Sequence, residues 1–387
     1  MKFAIVGGGP AGLFFAYLMK KNAPEHEVVV FEQNPPDATY GWGVVFSNVA
    51  MSFLKDTDLA FYERFVAHHQ GCDYLEVVHR DVRVQLHNNH FSRTSRIALL
   101  EVLQTTCREV GVDLRFDARI PSTGALSDYD VVVAADGANS AIRAELAEHL
   151  RPKATLRRNF FAWYGVRQLF HPVSLVFRPT AHGVFIAHAY QYSADFSTFL
   201  VEAPPEAWSG AGLDVKSDAE SRAFCEDVFA HELGANRLLS NKSNWFQAKI
   251  VDTERWHHGN VVLLGDALRT VHFSLGSGTR MAMQDAIALF EAFRGADDGV
   301  AAAFARFEAS RRGASDQFQE AASRSLNWYE SVQDKLHLDP VTFAYDYMKR
   351  TGRITDDHLR ARIPDFMAAV ERAGVISGHS VEGAPTP

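Results

Sequence analysis

Three glycines near the amino terminus have the spacing of a phosphate-binding turn. Gly7, Gly9 and Gly12 form a G-x-G-x-x-G pattern directly after the apolar run 3–6, and Glu32 follows at the end of the next apolar run. In such a turn the first glycine permits a tight bend, the second lets the backbone approach a pyrophosphate, and the third lets a helix pack on the strand. The acid can accept hydrogen bonds from a ribose diol. This segment therefore predicts a dinucleotide site, without distinguishing NAD from FAD.

Two later segments each place an acid at the end of an apolar run. Asp136-Gly137 follows one valine-rich run, and Asp266 follows another. Gly276 and Gly278 then precede a predicted helix. An acid at the carboxyl end of a strand can hold the hydroxyls of a ribityl chain, and free N–H groups at a helix start can stabilise negative charge on a reduced isoalloxazine ring. The three motifs in this order favour a flavin cofactor.

The whole arrangement resembles the FAD-dependent aromatic hydroxylases of the para-hydroxybenzoate hydroxylase type, over nearly the full chain. Segments 40–47, 272–279 and 350–354 are similar to the salicylyl-CoA 5-hydroxylase branch of that family. Two positions depart from the wider family pattern. Arg269 stands where many members have histidine, and Phe273 stands where they have proline, although a phenylalanine there is typical of this branch.

The resemblance implies a bound FAD, NADH or NADPH as a transient reductant, and dioxygen as co-substrate for hydroxylation through a flavin hydroperoxide. It also implies that Arg96, at the start of a predicted helix, lies near the flavin. The cofactor-binding residues implied in this way are Gly7, Gly9, Pro10, Ala11, Gly12, Glu32, Gln33, Arg96, Asp136, Gly137, Asp266, Gly276, Gly278 and Thr279.

Candidates for proton transfer to and from a phenolic substrate come from two places. His272 follows the Gly-Asp strand, beside the expected flavin edge, and His188 and Tyr190 alternate on one face of a predicted strand. A histidine can take a phenol proton near neutral pH. For all three residues, the alternative is a buried polar side chain whose hydrogen bonds are satisfied within the protein.

Apolar and cationic residues are the candidates for contacts with the substrate. Phe273 and Phe185 are expected to form dry walls around the ring. If the substrate is a CoA thioester its phosphates need cations, and Arg157 and Arg158 end a run of four positive charges within residues 151–158 that contains no acid. The alternative for this run is a solvated surface.

The predicted fold is α/β: a Rossmann-like FAD-binding domain, an inserted mixed β-sheet substrate domain and a helical C-terminal region. The inserted domain should contain a hairpin within 70–92 and further strands, with a helix near 218–233. Apolar residues of the last region indicate core packing or a homodimer. The predicted limits are 1–69, 93–157 and 253–299 for the FAD-binding domain, 70–92 and 158–252 for the substrate domain, and 300–387 for the helical region.

Composition sets wider bounds. The chain has 387 residues, 47% of them hydrophobic and 22% charged, as expected of a folded protein. A formal charge of −8 disfavours nucleic acid or an anionic membrane as partner. The three cysteines are too few and too scattered for a disulfide framework or a zinc site, and no metal-ligand cluster is visible, so a cytoplasmic location is expected. The 28 phenylalanines, against 11 tyrosines and 6 tryptophans, suggest an apolar pocket for a flat ligand.

These observations predict a monooxygenase that hydroxylates an aromatic ring, with salicylyl-CoA as the first substrate to test. The para preference follows from phenol electronics, whereas the thioester rests on the resemblance alone. An indole or tryptophan-pathway hydroxylase is the main alternative. The two later motifs disfavour a nicotinamide dehydrogenase. A non-catalytic flavin-binding protein is a third alternative, which substrate-stimulated NADH oxidation with hydroxylated product would exclude.

Overall fold

The computed structural model describes residues 1–38, 41–47, 51–67, 69–295 and 298–376. In chain order the strands are β1 (Lys2–Val6), β2 (Glu27–Phe31), β3 (Gly43–Ser47), β4 (Gln70–His79), β5 (Val82–Ser95), β6 (Asp113–Arg115), β7 (Val131–Ala134), β8 (Pro152–Val166), β9 (Val173–Thr180), β10 (Gly183–Gln191), β11 (Ser197–Ala203), β12 (Leu238–Leu239), β13 (Phe246–Thr253), β14 (His257–His258) and β15 (Val261–Leu263). The helices are α1 (Pro10–Asn22), α2 (Ser52–Thr57), α3 (Leu59–Val66), α4 (Arg96–Glu109), α5 (Ala141–Glu145), α6 (Ala147–Leu150), α7 (Pro205–Gly210), α8 (Asp218–Val228), α9 (Ala230–Leu233), α10 (Gly278–Phe293), α11 (Val300–Glu330), α12 (Pro340–Lys349), α13 (Asp356–Arg362) and α14 (Pro364–Arg372).

The first sheet brings the predicted motifs to one edge. Its order is β14-β15-β7-β1-β2-β6, and all its strands are parallel except β14. The last residues of four neighbouring strands are in register, because Val6 pairs with both Phe31 and Ala134, and Ala134 pairs with Leu263. The carboxyl ends of these strands therefore form one rim, which is where ligands bind in open α/β sheets.

The second sheet is mixed, with order β12-β8-β11-β10-β9-β4-β5-β3 and β13 also paired to β8. The predicted hairpin forms between β4 and β5, and its two turn residues, Arg80 and Asp81, both have positive φ, as a type I′ turn requires. The parallel pairing of β4 with β9 is what makes the sheet mixed.

The C-terminal helices cover one face of the second sheet. Trp328 and Tyr329 of α11 pack with Phe343 of α12 and with Phe177 and Ile186 of the sheet, so these aromatic residues belong to a core. The predicted fold class is confirmed. The domain limits remain a prediction. Four strands depart from them, because β3, the end of β5, the start of β8 and the last residue of β13 lie in segments assigned to the FAD-binding domain but pair in the second sheet.

Of the helices that the structure describes, none has both the length and the apolar character to cross a membrane. The end of the predicted helical region, 377–387, lies outside the described residues, as does Tyr40 at the start of the 40–47 motif.

Candidate active site

The three motif glycines in and after the turn that follows β1 have two different structural roles. Gly7 has φ +112°, and a Cβ there would lie 2.2 Å from the carbonyl oxygen of Ala135. A Cβ on Gly12 would lie 2.3 Å from the Gly7 carbonyl oxygen. A Cβ on Gly9, in contrast, would meet no atom within 4 Å. Gly7 and Gly12 are therefore required by backbone packing, whereas Gly9 leaves open space that a ligand can approach.

Glu32 closes the other side of this turn. Its Oε2 accepts a hydrogen bond from the Gly8 N–H at 2.7 Å, and its Oε1 accepts two from Asn34 at 2.8 and 2.7 Å. These bonds fix the carboxylate at the rim of the sheet. It is only partly buried, so it retains access to a ligand.

The loops after β7 and β15 are tied together by an arginine that the sequence did not single out. Arg143 is buried and donates to the carbonyls of Ala267 at 2.7 Å and Ala138 at 2.5 Å. Asp136 Oδ2 accepts a hydrogen bond from the Ala141 N–H at 2.8 Å, while its Oδ1 is buried and has no hydrogen-bond partner among the residues that the structure describes. An orphaned carboxylate oxygen of this kind needs a partner from a ligand or water.

Asp266 has an unusual environment. Its side chain is exposed, yet burial raises the pKa of this carboxyl above its ordinary value, while the charges of Arg96, Arg269 and Arg143 act to lower it. The carboxyl group therefore lies deep in the molecule but borders open space. Arg96 begins α4, where its N–H donates to the Trp42 carbonyl at 3.0 Å. Its guanidinium has no ion pair with any described residue.

These features fit a long cofactor such as FAD. Cβ atoms on Gly137 and Gly278 would also meet nothing within 4 Å, so three glycines leave open backbone along one rim. Gly276 is left-handed at φ +58° and ends the turn before α10. The other residues implied by the resemblance lie around this rim: Pro10 and Ala11 in the first turn of α1, Gln33 exposed after β2, and Thr279 in the first turn of α10.

A cluster of mainly aromatic side chains lies on one face of the second sheet. The β10–β11–β8 register places His188 beside Leu200, which pairs in turn with Trp163. Phe273, from the loop before α10, packs on this face with its ring 4.5 Å from that of Phe161 and 6.2 Å from that of Trp163. We call this group of five residues the aromatic wall. It places a histidine within an apolar surface.

His188 is held by a buried carboxylate. Its Nε2 lies 2.9 Å from Oε2 of Glu202, which is fully buried. Glu202 Oε1 accepts a second hydrogen bond from the Asn159 amide at 2.7 Å. Glu202 was not among the residues predicted from the sequence, because its position diagonal to His188, opposite Ile186, depends on the antiparallel register of two strands. The pair fixes the orientation of the imidazole.

His272 lies beside the aromatic wall and is electrically neutral. Its ring stacks on Phe273 at 4.3 Å, and its Nδ1 accepts a hydrogen bond from the Ser274 N–H at 3.3 Å. Burial, with smaller effects from His188 and Arg157, lowers the pKa of His272 to about 3. Its Nε2 and the indole Nε1 of Trp163 are buried without partners, so this apolar region offers two unused polar atoms.

Tyr190 has a structural contact instead of a free hydroxyl. It donates a hydrogen bond to the Gly43 carbonyl at 2.8 Å and so links β10 to β3. Burial raises the pKa of Tyr190 to about 12, which disfavours its phenolate near neutral pH.

The residues predicted to bind substrate do not all converge. Phe273 joins the aromatic wall, but Phe185 lies on the opposite face of β10, where its ring packs 5.1 Å from that of Phe224. The expectation that Phe185 walls the same pocket as His188 therefore fails, since residues three apart on a strand face opposite sides. Arg157 is engaged by Glu330 at 2.7 Å and Arg158 by Glu206 at 2.8 Å.

The unusual Arg269 also has a structural role. It is buried and donates twice to Asp285, at 2.9 and 2.8 Å. Arg311 donates to the same carboxylate at 2.8 Å. This replacement of the family histidine therefore ties the loop before α10 to α10 and α11.

Comparison with known proteins agrees with this arrangement. A family model described as "FAD binding domain" matches residues 127–303, and one described as "NAD(P)-binding Rossmann-like domain" matches residues 5–36. The chain is 37% identical over 361 residues to salicyloyl-CoA 5-hydroxylase of a Streptomyces species, covering 91% of this chain and 70% of that protein. The chain belongs to the FAD-dependent aromatic monooxygenases. The resemblance seen in the sequence is confirmed.

Two further relatives of this monooxygenase have different substrates in their names. Protodeoxyviolaceinate monooxygenase of Chromobacterium violaceum is 35% identical, covering 90% of this chain and 94% of that protein. A 3-hydroxy-4-methyl-anthranilyl-[aryl-carrier protein] 5-monooxygenase of Streptosporangium sibiricum is 33% identical, covering 86% and 90%. Among solved structures, the tetrameric form of 2-methyl-3-hydroxypyridine-5-carboxylic acid oxygenase matches with TM-score 0.65 at 16% identity, over 93% of this chain and 95% of that one. This last match shows the shared fold.

Proposed function

We propose that this monooxygenase uses NADH or NADPH and dioxygen to hydroxylate an aromatic acyl thioester, with salicylyl-CoA converted to 5-hydroxysalicylyl-CoA (gentisyl-CoA). The observation that carries the proposal is the aromatic wall, with its His188–Glu202 pair and the two unused polar atoms beside it. A hydroxylated ring with a carbonyl group matches such a site, because it needs apolar walls for the ring and a few polar contacts for its oxygens.

FAD, when bound and reduced, supplies the activation of dioxygen. In this proposal the open backbone at Gly9, Gly137 and Gly278 lies along the cofactor, Glu32 binds the adenosine ribose, and Asp266 binds the ribityl chain. Arg96 places a positive charge near the flavin ring. The nicotinamide nucleotide binds transiently, because the fold provides one Rossmann-like sheet.

The residues of the pocket accept the phenol proton and exclude water. With Glu202 as a carboxylate, His188 donates from Nε2, and its Nδ1 carries the lone pair that accepts the phenol proton. The resulting imidazolium is stabilised by the buried carboxylate. Phe161, Leu200 and Phe273 keep water from the reacting ring. Loss of the phenol proton raises electron density at the position para to the oxygen, which is where the new hydroxyl is placed.

The thioester is supported by two relatives whose names join an aromatic acid to coenzyme A or to a carrier protein. A second candidate, a pigment-pathway hydroxylase, is supported by the 35% identity to the protodeoxyviolaceinate enzyme over nearly its full length. The two candidates differ in substrate, whereas the flavin chemistry is the same.

A substrate comparison separates these candidates. The FAD-loaded protein would be given salicylate, salicylyl-CoA, anthranilyl-CoA and tryptophan-derived indoles, and NADH oxidation and hydroxylated product would both be measured. We expect salicylyl-CoA to give stoichiometric product and free salicylate to give little. Coupled hydroxylation confined to the indoles would refute the thioester and favour the second candidate.

A further inference from the structure

Two arginines next to the candidate site have no acidic partner. Arg280 lies in the first turn of α10, and Arg353 lies between α12 and α13. Within the described residues neither side chain forms a hydrogen bond or an ion pair. The guanidinium of Arg280 lies over the ring of Phe318 at 5.2 Å, and its Nε is buried without a partner. A buried cationic donor without an acceptor, such as Arg280 Nε, is uncommon and needs an explanation, whereas Arg353 is exposed.

The charge around Arg280 is strongly positive. Arg311 is close, but its Nε donates to Asp285, which is already shared with Arg269. Burial, followed by the charges of Arg311 and Arg353, lowers the pKa of Arg280 below its ordinary value. The Asp285 carboxylate is therefore shared by Arg269 and Arg311, and Arg280 has the positive charges of Arg311 and Arg353 near it. This surplus of positive charge is local, because the chain as a whole carries −8.

The turn that carries Arg353 packs against the loop of the candidate site. Arg350 donates from Nε to the Ser325 hydroxyl at 3.0 Å and from Nη2 to the Ser274 carbonyl at 3.5 Å. Ser274 follows Phe273 of the aromatic wall directly. The turn that carries Arg353 therefore lies beside the loop that carries Phe273.

Arg157 and Arg158, the cations predicted from the sequence to bind phosphate, are both paired with acidic side chains. Arg157 donates to both oxygens of Glu330, at 3.3 and 2.7 Å, and its partner is almost fully buried. Arg158 forms an exposed pair with Glu206. A phosphate at either residue would have to displace a carboxylate, whereas a phosphate at Arg280 and Arg353 would displace none.

We propose that Arg280 and Arg353 form an anion site that binds phosphate groups of the CoA part of the substrate while its aromatic ring lies at the aromatic wall. This inference rests on the thioester function proposed above. Guanidinium groups are suited to it, because they bind phosphate through paired, charge-assisted hydrogen bonds. The nicotinamide nucleotide is the other source of such phosphates, so the test separates the two.

The test compares Arg280→Met and Arg353→Met with the parent in the FAD-loaded protein. Arg294→Met is the matched control, because Arg294 is an exposed cation at the opposite end of α10 whose one ion pair within the described part of the chain is with Glu291. We expect KM for salicylyl-CoA to rise at least about tenfold in each of the two variants and to stay unchanged in the control. KM for salicylyl-pantetheine, which has no phosphate, should stay unchanged in all three.

Further measurements distinguish binding of the CoA phosphates from binding of the reductant or of FAD. Arg280→Lys should restore most of the affinity, and FAD content and Tm should match the parent in every variant. A rise in KM for NADH with an unchanged KM for the thioester would assign the site to the reductant. Loss of FAD from Arg280→Met would assign that residue to the flavin. Unchanged KM for a thioester that the parent hydroxylates would remove the anion site alone, whereas a parent that hydroxylates no thioester would remove the proposed function as well.

Discussion

In the proposed mechanism, the fully buried side chain of Glu202 determines which nitrogen of His188 acts as the base. Glu202 accepts from His188 Nε2 and from Asn159, and both contacts are shorter than 3 Å. A carboxylate can only accept hydrogen bonds, so Nε2 carries the hydrogen and Nδ1 is left basic. At the scale of single residues, the chemistry of the pocket thus depends on a residue that lies behind the histidine.

The variant Glu202→Gln tests this dependence. Glutamine keeps the shape of the side chain but removes the charge that stabilises an imidazolium, so we expect hydroxylation to slow by about 10²-fold with little change in KM. The acid limb of the pH–rate profile should shift as well. Glu76→Gln is the control, because Glu76 is also buried in the second sheet but pairs with Arg83 and Ser174. Equal losses of rate in both variants would show that Glu202 only maintains the fold.

The buried imidazole of His272 should make the free energy of unfolding of the protein depend on pH. Its folded-state pKa is lowered from 6.5 to about 3, so between these values the unfolded chain binds the proton and the folded chain does not. The stability from this residue is fully present above pH 6.5 and falls by about 1.4 kcal/mol per pH unit below it. Urea unfolding at pH 7, 6 and 5 should show this slope, reduced in His272→Gln. Identical slopes in the two proteins would contradict the neutral state of His272.

At the scale of elements, the glycines of the first turn predict separable defects. Gly12→Ala brings a Cβ to 2.3 Å from a backbone oxygen, so α1 must move off β1, which should cost about 1–3 kcal/mol of folding free energy. Gly9→Ala meets no protein atom, so folding should be unchanged while FAD affinity falls. Thermal unfolding of the FAD-free proteins and FAD titration measure the two effects. Loss of stability in Gly9→Ala with normal FAD binding would reverse these assignments.

The same elements show what the sequence can and cannot predict. The strand–turn–helix unit at residues 2–31 was predicted because its signals are local: an apolar run, spaced glycines and a following acid. Strand β9 was missed, although it forms a local hairpin with β10, and its other pairing, parallel to β4, joins segments about a hundred residues apart. The Arg157–Glu330 pair, which removes a predicted phosphate contact, joins residues 173 apart. Glu202 and Arg143 were missed for the same reason, since their roles arise from distant partners.

At the scale of the whole molecule, one helix joins the two sheets. Phe304 and Phe307, near the start of α11, belong to the core around the first sheet, whereas Trp328 and Tyr329, near its end, belong to the core on the second. A helix of 31 residues spans about 46 Å, enough to reach both. The two sheets should therefore unfold together.

A proline within α11 tests this coupling. Ala321 is buried near the middle of the helix, and Ala321→Pro removes a backbone hydrogen bond and adds a steric clash, which should cost about 3 kcal/mol or more. In the parent, urea transitions followed by FAD fluorescence and by far-ultraviolet circular dichroism should coincide. In Ala321→Pro they should separate, because each sheet then keeps only its own part of the helix. Ala301→Pro, in the first turn of α11, is the control, since a proline there loses no helical hydrogen bond. Two separate transitions already in the parent would show that α11 does not couple the sheets.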